Sequence, residues 1–241
     1  LHEVAEMGDI GMVQMLLDKG ADVNLRSNDS YTPLHRAVLQ GHGYVVRLLL
    51  DRGARLDTNT KDGETPLRDA ALLGRGAIVR MLLERGAHAL TLLRNAISKN
   101  QEAIVQTLLD NGADANLRGG SLEQLLQCAV ERGSGAMVHM LLDKGIDFNL
   151  QANPHLLHQA IARSHNAIVH ILMDNGADVN LKTLHEAGGH APLHFAASLG
   201  SLSIVEMLLD RGACVRERNS SGQTPEDLAS AHGHADVAAV L

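Results

Sequence analysis

Tryptophan is absent from this 241-residue chain, and tyrosine and phenylalanine supply two residues each, so aromatics make up only 2%. A globular core of this size normally leans on aromatic area. An apolar share of 45% without it is built from Ala, Leu, Val, Ile and Met, which suits short helices held close together. Cysteine is nearly absent too: Cys128 and Cys214 lie far apart with no CxxC spacing. That excludes a disulfide framework and reads as reduced thiols in an intracellular protein. No apolar run approaches the ~18 residues of a membrane span, and no signal peptide leads the chain. A continuous basic stripe is also missing. Residues 1–120 carry 14 basic and 15 acidic side chains and residues 121–241 carry 7 and 13, for a formal net charge of −7. Neither nucleic acid nor membrane is an expected partner.

What the chain does have is a period. Seven times a Leu-Leu or Leu-Met pair is followed three residues later by glycine, at Gly20, Gly53, Gly86, Gly112, Gly145, Gly176 and Gly212. The intervals are 33, 33, 26, 33, 31 and 36 residues, which is the signature of a stacked-repeat solenoid that grows along one axis.

One repeat can be read physically. Thr32 is suited to cap a helix, and Pro33 sits at its first position, where a missing N–H costs nothing. Leu34, Ala37 and Val38 make one apolar face at helical spacing, and Gly41 ends the helix. A second helix follows, with Val45, Val46, Leu49 and Leu50 inward and Arg47, Asp51 and Arg52 outward, and it stops at Gly53. Each helix is about two turns, too short to be stable alone, so neighbouring repeats must cover its face.

These residues resemble the ankyrin repeat family. Asp62-Gly63-Glu64-Thr65-Pro66-Leu67 is similar to the family's D-G-x-T-P-L start, and Ala191-Pro192-Leu193-His194-Phe195-Ala196-Ala197 to its T-P-L-H-x-A-A helix. Gly20-Ala21-Asp22-Val23-Asn24, Gly112-Ala113-Asp114-Ala115-Asn116 and Gly176-Ala177-Asp178-Val179-Asn180 resemble its G-A-D-V-N close. The resemblance implies an all-α dominated repeat solenoid: an ankyrin array of helix-turn-helix units with β-hairpin or loop fingers. It also implies a concave side, lined by fingers and first helices, where the family most often binds proteins. On this reading residues 1–241 form a single domain with repeats at about 1–26, 27–59, 60–88, 89–118, 119–150, 151–182, 183–217 and 218–241.

Departures from the pattern locate its irregularities. Between Gly86 and Gly112 the spacing loses seven residues, so only Ala87 to Leu90 connect to the next helix and the finger there must be cut back. Three first helices, expected from Thr91, Gln124 and His155, lack the opening proline. The finger from Lys182 to His190 is three residues over the period. A softer centre is therefore expected between a block at 1–86 and a block from about 156. Leu1-His2 aligns with Leu34-His35, inside a first helix. Glu226 stands where an inward Leu normally would, as in a terminal capping repeat. The expectation is a piece of a longer chain that continued upstream.

Catalytic and metal motifs are missing. Of 14 histidines, His2, His35, His158 and His194 fall at one equivalent place early in the first helix, where the resemblance implies a hydrogen bond holding finger to helix. His42, His165 and His234 share another, just after it. There is no HExxH, zinc-type His/Cys pairing, G-x-S-x-G elbow or phosphate-cradling glycine loop. The chain is expected to be no enzyme and to need no cofactor or metal.

What remains is a surface. Extending the resemblance residue by residue gives fingertips at Arg26, Asn28, Asp29 and Tyr31, then Lys61, Asp62 and Glu64, and first-helix ends at Leu39-Gln40 and Leu72-Leu73. Tyr31, Leu39, Leu72 and Leu73 would form an apolar patch with a charged rim, which marks an interaction site. The alternative is that the leucines pack between neighbouring first helices. His185 and His190 on the long finger complete the candidates. Asn24, Asn116, Asn149 and Asn180 have the setting of asparaginyl-hydroxylase targets in the family, against a plain turn role. The expected function is a non-catalytic scaffold, monomeric in isolation, binding a protein partner. The alternative is an architectural or autoinhibitory segment of a multidomain signalling protein.

Overall fold

The computed structural model describes residues 1–113, 121–144, 154–184 and 188–241. Sixteen helices and no strand occur among them. In chain order they are α1 (His2–Met7), α2 (Ile10–Asp18), α3 (Pro33–Gln40), α4 (Gly43–Asp51), α5 (Pro66–Leu72), α6 (Gly76–Glu84), α7 (Leu90–Ser98) and α8 (Glu102–Asp110). Then follow α9 (Ser121–Arg132), α10 (Gly135–Asp143), α11 (Pro154–Ala162), α12 (Asn166–Asp174), α13 (Pro192–Ser198), α14 (Leu202–Asp210), α15 (Pro225–Ala231) and α16 (Ala235–Val240).

Local chemistry explains the regular boundaries. Thr32, Thr65 and Thr224 each accept a hydrogen bond from the backbone N–H three residues on, with Pro33, Pro66 and Pro225 at the first helical position. In α3 the faces carrying Leu34, Ala37 and Val38 are fully buried, as are Val46 and Leu49 of α4. Within residues 1–122 first helices pack as α1 on α3 on α5 and second helices as α2 on α4 on α6 on α8, with α5 also against α8. Within 123–241 α11, α13 and α15 pack in one row and α10, α12, α14 and α16 in another, so these short helices are covered by counterparts one repeat away. The second helices are also tied by ion pairs from Arg52 to Asp18 (2.8 Å) and from Arg85 to Asp51 (2.6 Å).

Among the described residues, the fingers at 27–31, 60–64 and 219–223 are loops closed at the tip by two backbone hydrogen bonds, with no strand. The Ser27 N–H donates to the Tyr31 carbonyl (2.9 Å) and the Ser30 N–H to the Ser27 carbonyl (2.8 Å). The same pair of bonds recurs at Thr60–Glu64 and at Asn219–Gln223.

The middle first helices depart from expectation in where they start. Aligned with Pro33, they would open at Leu92, Leu125 and Leu156; instead they open at Leu90, Ser121 and Pro154. α11 therefore does begin on a proline, two positions early, which corrects the expectation that all three lack one. The cause is local. A Thr-Pro pair holds the residue before proline extended, and without it the helix grows back into what would be finger.

The chain divides into two compact units, Leu1–Leu122 and Glu123–Leu241. In the second unit Leu228 is buried and Glu226 exposed, so the last first helix turns a polar side outward.

Candidate functional site

Histidine sets the finger against the helix. Nδ1 of His35 accepts from the Thr32 N–H (3.2 Å), so the ring proton sits on Nε2, which donates to the carbonyl of Glu64 in the next repeat (3.4 Å). His2 reaches the Tyr31 carbonyl (3.0 Å), His158 that of His190 (3.1 Å) and His194 that of Gln223 (3.1 Å). Each histidine thus fixes the last finger residue of the following repeat. Burial holds the His35 imidazole down at about 4, with Arg26 and Arg36 adding to the depression and a backbone hydrogen bond opposing it. Burial lowers His194 and His190 as well.

The first two fingers present the expected rim. Arg26 bonds the Asn59 carbonyl, and the Lys61 N–H reaches the Asp29 carbonyl at 3.4 Å. Asn28, Asp29, Lys61 and Asp62 are exposed, and half-buried Glu64 pairs with Arg68. Tyr31 is half-buried, edge-on to His35 at 5.7 Å, with the Arg36 guanidinium 4.8 Å above its ring.

The first-helix ends form an apolar row. Leu72 and Leu73 are 55% and 47% exposed and do not pack between neighbouring first helices. Leu39 is half-buried, its carbonyl accepting from Arg75 at 3.2 Å, and exposed Gln40 lies 3.5 Å from Glu6. Met7, which the sequence reading passed over, is 75% exposed and occupies in α1 the position of Gln40 and Leu73. Its signal was there in the repeat alignment, at the residue before Gly8.

A carboxylate lies under this row. Asp69 in α5 is only 7% exposed, and its Oδ2 has no hydrogen-bond partner. Burial pushes its pKa up to about 6, with Arg68 pulling the other way. Two open grooves, of about 660 Å³ beside Arg26, Arg55 and Asp57 and about 470 Å³ beside Asp178 and Arg211, run along polar loops. Among the described residues, no three His, Cys, Asp or Glu side chains converge as metal ligands.

His190 belongs to the unit at 123–241 and to a different cluster. Its ring meets Phe195 (5.3 Å) and His194 (5.7 Å), and His158 meets Phe195 at 5.0 Å. His185 lies outside the described residues, as do Asn116 and Asn149. Both ends of the Asn24 amide are engaged with the next repeat, donating to the Gly53 carbonyl (3.1 Å) and accepting from the Arg55 N–H (2.8 Å). Asn180 does the same with Gly212 (3.2 Å) and Cys214 (2.8 Å). A structural turn role accounts for both.

Comparison with known families matches ankyrin repeats in three copies to residues 1–92 and 157–241, and ankyrin repeats in many copies to residues 93–142. Among curated proteins, the chain is similar over 54 residues to probable E3 ubiquitin-protein ligase XBOS33 of Oryza sativa subsp. japonica, at 50% identity, covering 22% of this chain and 10% of that protein. It is similar to ARF GTPase-activating protein Git of Drosophila melanogaster at 44% over 54 residues, 22% of this chain and 7% of that one. To ankyrin repeat domain-containing protein 37 of Homo sapiens it is 45% identical over 53 residues, 22% of this chain and 34% of that one. The match therefore spans at most about a third of any of these three relatives. Among solved structures, the ankyrin repeat domain of human ASB11 covers 97% of this chain and 94% of its own, at 28% identity and a TM-score of 0.40.

Proposed function

We propose, from the premise that this chain belongs to the ankyrin repeat family, that it is a non-catalytic scaffold that binds a partner protein. The repeats of the family generally serve as protein–protein interaction modules. Binding is assigned to the face made by the fingertips Arg26 to Tyr31 and Lys61 to Glu64 and the first-helix ends of α1, α3 and α5. One observation carries the reading: Leu72 and Leu73 at the end of α5 and Met7 at the matching end of α1 stand exposed, with Gln40 of α3 between them, beside a charged rim. Apolar area left in water next to polar groups that can orient a partner is the usual anatomy of an interface. The unpaired thiols at Cys128 and Cys214 favour an intracellular setting.

Affinity capture tests this. Proteins retained by the wild type should be lost with a Met7→Ser, Leu72→Ser, Leu73→Ser variant and kept with Tyr44→Ser, which alters the exposed tyrosine of second helix α4. Loss with Tyr44→Ser and retention with the triple variant would move the interface to the opposite side.

The curated relatives favour a second reading. Those named as ligase or GTPase-activating proteins match over 10% or less of their length. An ankyrin stretch of this kind can be one segment of a larger protein and space or restrain an attached effector domain.

A further inference from the structure

Along the first-helix ends of residues 1–122, the cationic and acidic groups are unequally engaged. Arg36 is held by Glu6 at 3.7 Å and lies over Tyr31, and Arg68 is held by Glu64. Arg36 and Arg68 are in use, and Arg75 donates to the Leu39 carbonyl although its Nε has no partner. Two carboxylates are not in use: Glu3 is exposed in α1 and enters no ion pair among the described residues, and Asp69 is buried with Oδ2 unpartnered. Glu3, Arg36 and Asp69 occupy equivalent positions in α1, α3 and α5. The row of charge therefore runs minus, engaged plus, minus, and next to it runs the row Met7, Gln40, Leu73.

A buried carboxylate with an unpartnered oxygen is a costly arrangement that a cation relieves. Leu72 and Leu73 stand three and four residues after Asp69, on the next turn of the same helix and the same side. A ligand that covers the leucines brings its neighbouring side chain to the carboxylate. Stacked helices lie about 8–10 Å apart, so α1 to α5 spans roughly 20 Å, the length of about six extended residues. One repeat further, α7 presents the exposed cations Arg94 and Lys99, with Lys99 aligned to Leu73. These set the limit of the acidic stretch.

We propose that this face takes a short segment of the partner protein that carries a lysine or arginine between apolar residues, with the cation paired to Asp69 and the apolar side chains on Leu72, Leu73 and Met7. The inference rests on the binding surface proposed above and specifies the chemistry that surface accepts.

The test is selection of a random 12-residue peptide display library on the purified 241-residue protein, followed by binding of the enriched peptides as fluorescein conjugates. The expected peptides carry one Lys or Arg flanked by apolar residues. Asp69→Asn should weaken them at least tenfold, and replacing their Lys or Arg by Gln should do the same. Removing a buried unpaired charge stabilises the fold, so lost binding in Asp69→Asn does not come from unfolding, and a thermal melt confirms it. Peptides that lose affinity with Leu73→Ser but are indifferent to Asp69→Asn would overturn the proposed chemistry and leave the binding surface standing. If no enriched peptide depends on Leu72, Leu73 or Met7, both fall.

Discussion

Two titratable side chains in the first unit carry opposite pH signatures. Asp69 keeps its proton up to about pH 6 in the fold, whereas an unfolded Asp releases it near 4. Between those values the native state binds more protons, so stability drops as pH rises, and the full penalty of up to about 3 kcal/mol is present above pH 6. Asp69→Asn removes the charge but buries an amide, for a net gain of about 1–2 kcal/mol at pH 7. Thermal melts should show the variant above wild type at pH 7 and level with it near pH 4; a variant that melts lower at pH 7 would mean the carboxylate is satisfied. His35 has the reverse sign. Its pKa falls from 6.5 to about 4 on folding, so the unfolded chain binds the extra proton, and stability declines as pH falls from 6.5 to 4 by up to about 3 kcal/mol. Below pH 4 a protonated Nδ1 can no longer accept from Thr32. An NMR titration should place the His35 midpoint near 4, and a midpoint near 6.5 would remove the capping role. The two effects share one window and partly cancel, so wild-type melts alone will understate both.

At the level of the element, the ends of the first helices are coupled to the following repeat. His42 donates to the Glu6 carbonyl (2.9 Å), Arg75 to that of Leu39 (3.2 Å) and His234 to that of Ser198 (3.1 Å). To do so each lies against a left-handed glycine: a Cβ at Gly200 would meet the His234 ring at 2.4 Å, and one at Gly8 the His42 ring at 2.6 Å. At Asn100 and Ser164, which also adopt positive φ, the aligned residues of the following repeats are the small Ser134 and Ser201. Gly74 shares the backbone conformation but has nothing within 4 Å of a Cβ. Gly74→Ala should therefore cost about 1 kcal/mol from the left-handed backbone alone. Gly200→Ala should cost at least twice that, because the ring must move and its hydrogen bond goes with it. Equal losses in urea melts would mean that His234 relocates freely. The periodic recurrence of His42, His165 and His234 was legible from residue order, but the carbonyls that His42 and His234 reach lie 36 residues back, the buried His165 Nε2 has no partner, and no local rule separates them.

For the whole molecule, stability in a linear array is roughly a sum of repeat and neighbour terms. α7 follows the N-cap Ala89 with neither a side-chain cap nor an opening proline, whereas α3 has a Thr cap closed by His35 and α13, also without a side-chain cap, keeps Pro192 at its first position. A missing cap costs about 1 kcal/mol. Hydrogen exchange should then be faster for amides at 92–100 and 124–132 than at 34–40 and 193–199. Uniform protection across the four helices would mean that Leu92, Leu93, Leu125 and Leu126, all buried, compensate fully, and that no softer centre exists.

Sequence by itself determined the repeat register, the helix–helix–finger order, the Thr-Pro helix starts and the place of His35 and its counterparts. The helix starts depend on contacts three residues apart, and the register and the recurring histidines show as a period in residue order even though the histidines bond a carbonyl 29–32 residues on. It misjudged the starts of the middle first helices because a helix without a Thr-Pro stop runs until something else ends it. Only the tertiary structure decided that Leu72, Leu73 and Met7 face water and that Asp69, one turn before the leucines, is buried without a partner. Exposure at a first-helix end is set by side chains about 33 residues before and after it, so identical positions in neighbouring repeats acquire different surroundings.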